Sequence, residues 1–160
     1  MRALLVCATI HHGNTMRVAE AIADELGAEV RRPWEVSADE LGRYELVGLG
    51  SGIYYGRHHS SLFKLVRRAR LIGVRAFVLY TSGFPRVPVL NGCDASLKRL
   101  LAERGAEVLD SFGCRGYCDY GPLKLVGGIN RDRPSEEDLE AAKAFARRLM
   151  ERLAHPSANT

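Results

Sequence analysis

Apolar residues fill nearly every position of RALLVCA (residues 2–8), and from Thr15 onward they recur at intervals of three and four. The first pattern suits a strand buried on both faces; the second is the apolar stripe of a helix. Val18, Ala19, Ile22, Ala23 and Leu26 form that stripe, Arg17, Glu20, Asp24 and Glu25 the opposite face, and Gly27 stands where the helix stops. The alternation continues. AEVRRP (28–33) reads as a short second strand ended by proline, and YELVGLGSGIYYG (44–56) as a third strand with its exit loop. Residues 60–72 are a predicted helix with Leu62, Phe63, Leu65, Val66, Ala69 and Ile72 inside and Lys64, Arg67, Arg68 and Arg70 outside. RAFVLYTSG (75–83) is a fourth strand, ASLKRLLAERG (95–105) a helix closed by Gly105, and AEVLDSFGC (106–114) an uninterrupted fifth strand. The last helix, 135–153, opens with Ser135 and Asp138 spaced as a capping box. Acids fill its first turn and Arg147, Arg148 and Arg152 its end, as the helix dipole favours.

Buried strands alternating with helices predict βαβ units: a doubly wound, five-stranded parallel sheet with helices on both faces. Only residues 33–44 are available to cross from the second strand to the third, and SADELG supplies one helical turn there. Trp34, just after the second strand, is expected to pack. The chain has 160 residues, 46% hydrophobic and 26% charged, which fits a single domain over 1–154 and a disordered tail over 155–160. The apolar part of MRALLVCAT is shorter than a signal-peptide core, and no run reaches membrane-spanning length. Cys7, Cys93, Cys114 and Cys118 are too scattered for a disulfide scaffold, so a reducing cytoplasm is the expected location. The net charge of +4 is mild, and no basic stretch is interleaved with stacking aromatics, so nucleic-acid binding is not expected.

In such a sheet, ligands bind beyond the carboxyl ends of the strands, where the strand order switches. Three loops of unusual composition leave those ends. The first carries Thr9, His11, His12, Gly13, Asn14 and Thr15. It lacks the dinucleotide G-x-G-x-x-G and the Walker motif, but its glycine precedes a helix start, where exposed amides suit a phosphate. The alternative is that Asn14 or Thr15 simply caps the helix. The second loop brings Gly52, Ile53, Tyr54, Tyr55 and Gly56, whose glycines allow close approach to a flat ligand and whose aromatic faces stack on it. The alternative there is a surface loop whose tyrosines cover the sheet end. The third supplies Thr81, Ser82, Gly83 and Phe84. Neither the two histidines of the first loop nor the C-x-x-x-C of Cys114 and Cys118 has the further ligands zinc needs, and no metal is expected.

The strand followed by T-x-H-H-G-N-T and a helix, then GSGIYYG and TSGFP, together resemble the short-chain flavodoxin-like proteins over most of residues 2–153. The segment FGCRGYCDYGPLKLVGGINRDRPSEEDLEAAKAFA is similar to the closing segment of flavodoxin-family proteins of unassigned role. The resemblance implies strand order 2-1-3-4-5 with FMN at the switch point between the first and third strands. It implies that Thr9 to Thr15 hold the FMN phosphate, and that residues 52–57 and 81–85 flank the ring and ribityl chain. The sequence departs from the family's T-x-T-G-x-T phosphate loop, with histidines at 11 and 12 and Thr9 one place early. With no tryptophan in the ring loops, stacking falls to Tyr54, Tyr55 or Phe84, and Gly56 is where the backbone can turn toward a ring.

The implied function is an FMN-dependent redox protein passing electrons to a partner protein or a small acceptor, with homodimer formation left open. A second reading follows from GIYYGRHHSSLFK, which resembles a segment of menaquinone-dependent protoporphyrinogen oxidase and implies a quinone- or porphyrinogen-linked flavin enzyme. A third is a flavin-free interaction module on the same fold. A phosphorylated receiver domain is not expected, because Gly50, Ser51 and Gly52 stand where it needs an aspartate. Flavodoxins that shuttle electrons are typically acidic; this chain is basic.

Overall fold

Strand β1, Ala3–Ala8, is buried at all six positions, as its unbroken apolar run demands. The computed structural model describes residues 1–9, 13–53, 56–82, 92–115 and 134–156. Helix α1 is Asn14–Leu26, followed by β2 (Glu29–Arg31), a 3-10 turn at Pro33–Glu35, and the single helical turn α2 (Ala38–Leu41). Then come β3 (Leu46–Gly52), α3 (Ser60–Arg67), β4 (Arg75–Ser82), α4 (Ala95–Glu103), β5 (Glu107–Arg115) and α5 (Glu136–Ala154). All strands pair in parallel in the order β2-β1-β3-β4-β5, which is the doubly wound architecture expected. β5 runs without insertion; its register slips once, opposite Ala76 and Phe77 of β4.

Alternation along the strands divides the core into two layers. Leu4, Val6 and Ala8 of β1, Val47 and Leu49 of β3 and Val78 of β4 face Leu62, Val66, Leu97 and Leu101 of α3 and α4. Leu5 and Cys7, with Phe77 and Leu79 of β4, face Val18 and Ile22 of α1 and Phe145 and Leu149 of α5. Gly48 and Gly50 lie on this second face, where a Cβ would come within 2.4 Å of the Phe77 ring and 2.5 Å of Leu79 Cγ. The large side chains of β4 fill the space that β3 leaves empty. Arg147 of α5 clamps Glu25 of α1 in a two-pronged pair at 3.2 and 2.8 Å, which holds that carboxyl below the usual carboxylate range.

Capping explains several boundaries. Ser37 with Glu40, and Ser135 with Asp138, form capping boxes at α2 and α5, the second as read from sequence. Two expectations are corrected. The helix at 60–72 stops at Arg67: the Ala69 carbonyl accepts from Arg104 Nε, and the Leu71 N–H donates to the Arg104 carbonyl. Those bonds draw 68–72 out of the helix toward the turn before β5 and leave Ile72 68% exposed. Trp34 does not pack. It is 75% exposed on its 3-10 turn, where the neighbouring Pro33 takes the buried position.

Candidate functional site

The register aligns the carboxyl ends of three strands into one rim. Ala8 of β1 pairs with Ser51 of β3, and Gly52 of β3 with Thr81 of β4. β1 leads outward to β2 on one side, and β3 returns on the other, so the loops leaving β1 and β3 diverge at this edge. Thr9 follows β1 directly and is half-buried.

Helix α1 starts in a manner that side-chain capping does not explain. Its N-cap is Gly13, in the left-handed region at φ 63° and ψ 20°, which brings no side-chain cap of its own. No described residue lies within 4 Å of where a Gly13 Cβ would sit, and its left-handed backbone favours glycine there. The first intrahelical bond is Arg17 N–H to the Gly13 carbonyl at 3.0 Å. The amides of Asn14, Thr15 and Met16 precede it and have no carbonyl within the helix to bond. A left-handed residue followed by helical ones aims successive N–H groups to one side, the geometry of an anion nest, and no acid stands in this first turn to compete. The simple capping role considered for Asn14 and Thr15 is therefore corrected: both are inside the helix, 8% and 2% exposed. The Thr15 hydroxyl instead meets that of Thr81 at 2.8 Å, both buried, which fastens the first loop to the end of β4.

The second loop is fastened at both ends. The Ile53 N–H donates to the Thr81 carbonyl at 3.0 Å. Ser51, fully buried, accepts from the His59 N–H at 2.9 Å and donates to the Gly52 carbonyl at 2.6 Å. His58 donates from Nε2 to the Leu79 carbonyl at 3.0 Å and sets its ring edge-on to Tyr80. Burial pushes the His58 pKa below the ordinary histidine value, partly offset by the Leu79 carbonyl and Asp94. His59 Nδ1 accepts from the Ser61 N–H at 3.2 Å and caps α3. Between these anchors Gly56 holds φ 77°, with no described residue within 4 Å of its Cβ position. Sequence reasoning left Ser51, His58 and His59 without these roles; the signal available was a run of polar residues directly after a buried strand.

The rim thus brings together Thr9, Gly13, Asn14, Thr15, Gly52, Ile53, Gly56, Thr81 and Ser82 from the three loops singled out by composition. His11, His12, Tyr54, Tyr55, Gly83 and Phe84 lie outside the described residues. So does Cys118, the second cysteine of the C-x-x-x-C pair. Cys7 is buried in β1, and burial drives its thiol up to about 12, which disfavours the reactive thiolate near neutral pH. Among the described residues, no cluster of three His, Cys, Asp or Glu is placed to hold a metal, and no helix is long and apolar enough to cross a membrane.

Comparison with known proteins agrees with this geometry. A flavodoxin domain family profile matches residues 5–127, from β1 past the end of β5. An uncharacterized protein of Methanocaldococcus jannaschii is 41% identical over 150 residues, covering 94% of this chain and 99% of its own length. A flavodoxin from the domain Archaea superposes with a TM-score of 0.74 at 19% identity, covering 97% of this chain and all of that one. Oxidised flavodoxin 2 of Bacillus cereus gives 0.72 at 21%, covering 95% and 99%. The structures share the fold; the profile and the archaeal relative, each spanning most of the chain, establish kinship, and this protein belongs to the flavodoxin domain family.

Proposed function

We propose that this chain is a single-domain redox protein that holds FMN non-covalently at the rim and exchanges electrons with a partner protein or a small acceptor in a reducing cytoplasm. The observation that carries this reading is the start of α1, opened by a left-handed glycine that offers no side-chain cap of its own, with no acid in the first turn. N-cap residues, glycine among them, ordinarily hold extended backbone, whereas Gly13 is in the left-handed region and brings no side-chain acceptor to the first amides. That start suits an external anion, while Thr15 is turned inward to brace the rim.

The residues fit the group. Gly13, Asn14 and Thr15 would hold the phosphate through backbone N–H groups, with Thr9, His11 and His12 beside it. Gly52, Ile53, Tyr54, Tyr55 and Gly56, with Thr81, Ser82, Gly83 and Phe84, would flank the ring and its chain. When bound, the flavin supplies the electron-accepting and electron-donating chemistry, which no side chain of the rim provides. The protein's own part is orientation. Ser51, His58 and His59 fix the entry and exit of the second loop, and Gly56, already in the left-handed region, gives that loop a backbone unit able to turn toward a ring.

The test is an absorbance spectrum of the purified chain before and after FMN is added and gel-filtered. Flavin absorbance that stays with the protein at one equivalent, and bleaches on anaerobic photoreduction, supports the reading. Protein that passes through colourless excludes it and leaves the fold as a flavin-free interaction module.

A further inference from the structure

Residues 46–93 hold seven lysines and arginines and no aspartate or glutamate, whereas the whole chain has 23 basic and 19 acidic residues. Acids therefore outnumber bases elsewhere, and the positive charge is concentrated in the segment that builds the second and third rim loops. Five of the seven, Arg57, Lys64, Arg67, Arg68 and Arg70, are exposed. Arg57 leaves the rim directly after Gly56. Its guanidinium lies 4.6 Å from the centroid of the Phe63 ring, and that of Arg67 lies 5.8 Å from the same centroid. The two cations flank a depression of about 440 Å³ walled by the turn from Arg57 to Ser60 and by Phe63. Phe63, 5% exposed, holds both heads by cation–π attraction. Lys64 and Arg68 are four residues apart, so the strip continues down the outer face of α3.

Among the described residues, none of the five is paired with a carboxylate; ion pairs occur instead at Arg31, Arg75, Lys98, Lys143 and Arg147. Like charges held side by side repel one another, and an opposite surface laid over them removes that repulsion. The apolar side of α3, Leu62, Phe63 and Val66, is buried in the core, so the helix has nothing to insert into a lipid layer. Trp34, exposed on the 3-10 turn beside α3, stands alone among the described residues there, and a single ring is no row of platforms for successive bases. What remains is a row of cations beside a rim loop, led by two guanidinium forks shaped for carboxylates.

We infer that this strip docks an acidic protein, whose carboxylates seat between Arg57 and Arg67 and along Lys64 and Arg68, bringing that partner to the second rim loop. The inference rests on the flavin reading of the rim, and its charge logic is the reverse of an acidic carrier approaching a basic reductase.

The full chain is titrated by calorimetry with poly-L-glutamate, with duplex DNA, and with phosphatidylcholine vesicles containing phosphatidylglycerol, at low and high salt. Poly-L-glutamate is expected to bind, with affinity falling about tenfold or more as salt rises to a Debye length of about 8 Å. Lys64→Gln with Arg68→Gln should weaken it about fivefold. Arg43→Gln with Arg148→Gln, an equal charge change on other surfaces, should weaken it less than about twofold. Equal losses in the two pairs, or tighter binding of DNA or vesicles at matched salt, would overturn the proposal. In the FMN-loaded chain, reoxidation by ferricyanide, which takes one electron per ion and becomes ferrocyanide, should slow with salt. Reoxidation by the hexaammineruthenium(III) cation, also a one-electron acceptor, should quicken. A chain that takes up no flavin defeats the rim reading and the docking role with it; a chain that loads flavin but ignores poly-L-glutamate defeats docking alone.

Discussion

Thr15 and Thr81, 66 residues apart in sequence, share a hydroxyl–hydroxyl hydrogen bond of 2.8 Å at positions 2% and 5% exposed. Replacing Thr15 by valine keeps the shape and leaves the Thr81 hydroxyl buried without that partner, which costs about 1–3 kcal/mol. Thr81→Val should cost a similar amount by the same route. The double variant removes both polar groups and lets two methyls meet, so its loss should fall short of the sum by about 1 kcal/mol or more. For a chain of this length, each single change then lowers Tm by roughly 2–4 °C per kcal/mol. The measurement is urea unfolding of the four proteins without flavin, read as shifts in midpoint at constant slope. Single variants within about 0.3 kcal/mol of the parent, or a double variant equal to the sum, would show that this bond does not brace the rim.

Other consequences follow from the packing and charge. Gly48→Ala drives a methyl into the Phe77 ring and should destabilise by about 1–3 kcal/mol, with Phe77→Leu in the same chain recovering part of the loss in urea unfolding. Gly56→Ala meets no described neighbour but strains the backbone at φ 77°, so Tm should fall by only a few degrees, roughly 1 kcal/mol, while spectroelectrochemical titration shows flavin reduction potentials moving more than FMN affinity. His58 is held below its ordinary pKa by burial, so the unfolded chain binds a proton that the folded one refuses. Its contribution is complete above about pH 6.5 and is lost as pH falls from there toward the folded pKa. Thermal scans should therefore show Tm falling between pH 7 and pH 5.5 in the parent and falling less in His58→Gln, before the carboxylates Glu25 and Glu40, themselves lowered by Arg147 and Arg31, begin to titrate.

Most of the sheet was legible because β1, β3 and β4 are buried on both faces and leave long apolar runs, and because Gly27 and Ser135 punctuate helices through local chemistry. The end of α3 was not legible: Leu71 and Ile72 continue the helical period, but bonds to Arg104, 33 residues after Leu71, outcompete it. Trp34 misled for the converse reason, since apolarity alone says nothing of which side of a short turn faces the core. At the rim, composition singled out three loops that leave the same edge of the sheet, because glycine, hydroxyls and amides clustered after buried strands. It could not separate a capping Asn14 or Thr15 from an open helix start, which depends on the sign of φ at Gly13. Nor does any local pattern disclose the Thr15–Thr81 bond or the hold of His58 on Leu79, both of which exist only once β1 and β4 flank β3.

Calorimetry of FMN against riboflavin isolates the start of α1 as a phosphate cradle, since the two ligands share a ring and differ in the phosphate alone. Two or three hydrogen bonds to a charged phosphate, at about 1.5 kcal/mol or more each, predict FMN binding at least about 10²-fold tighter than riboflavin, with the difference unchanged in Lys64→Gln/Arg68→Gln. Equal affinities for the two would contradict it.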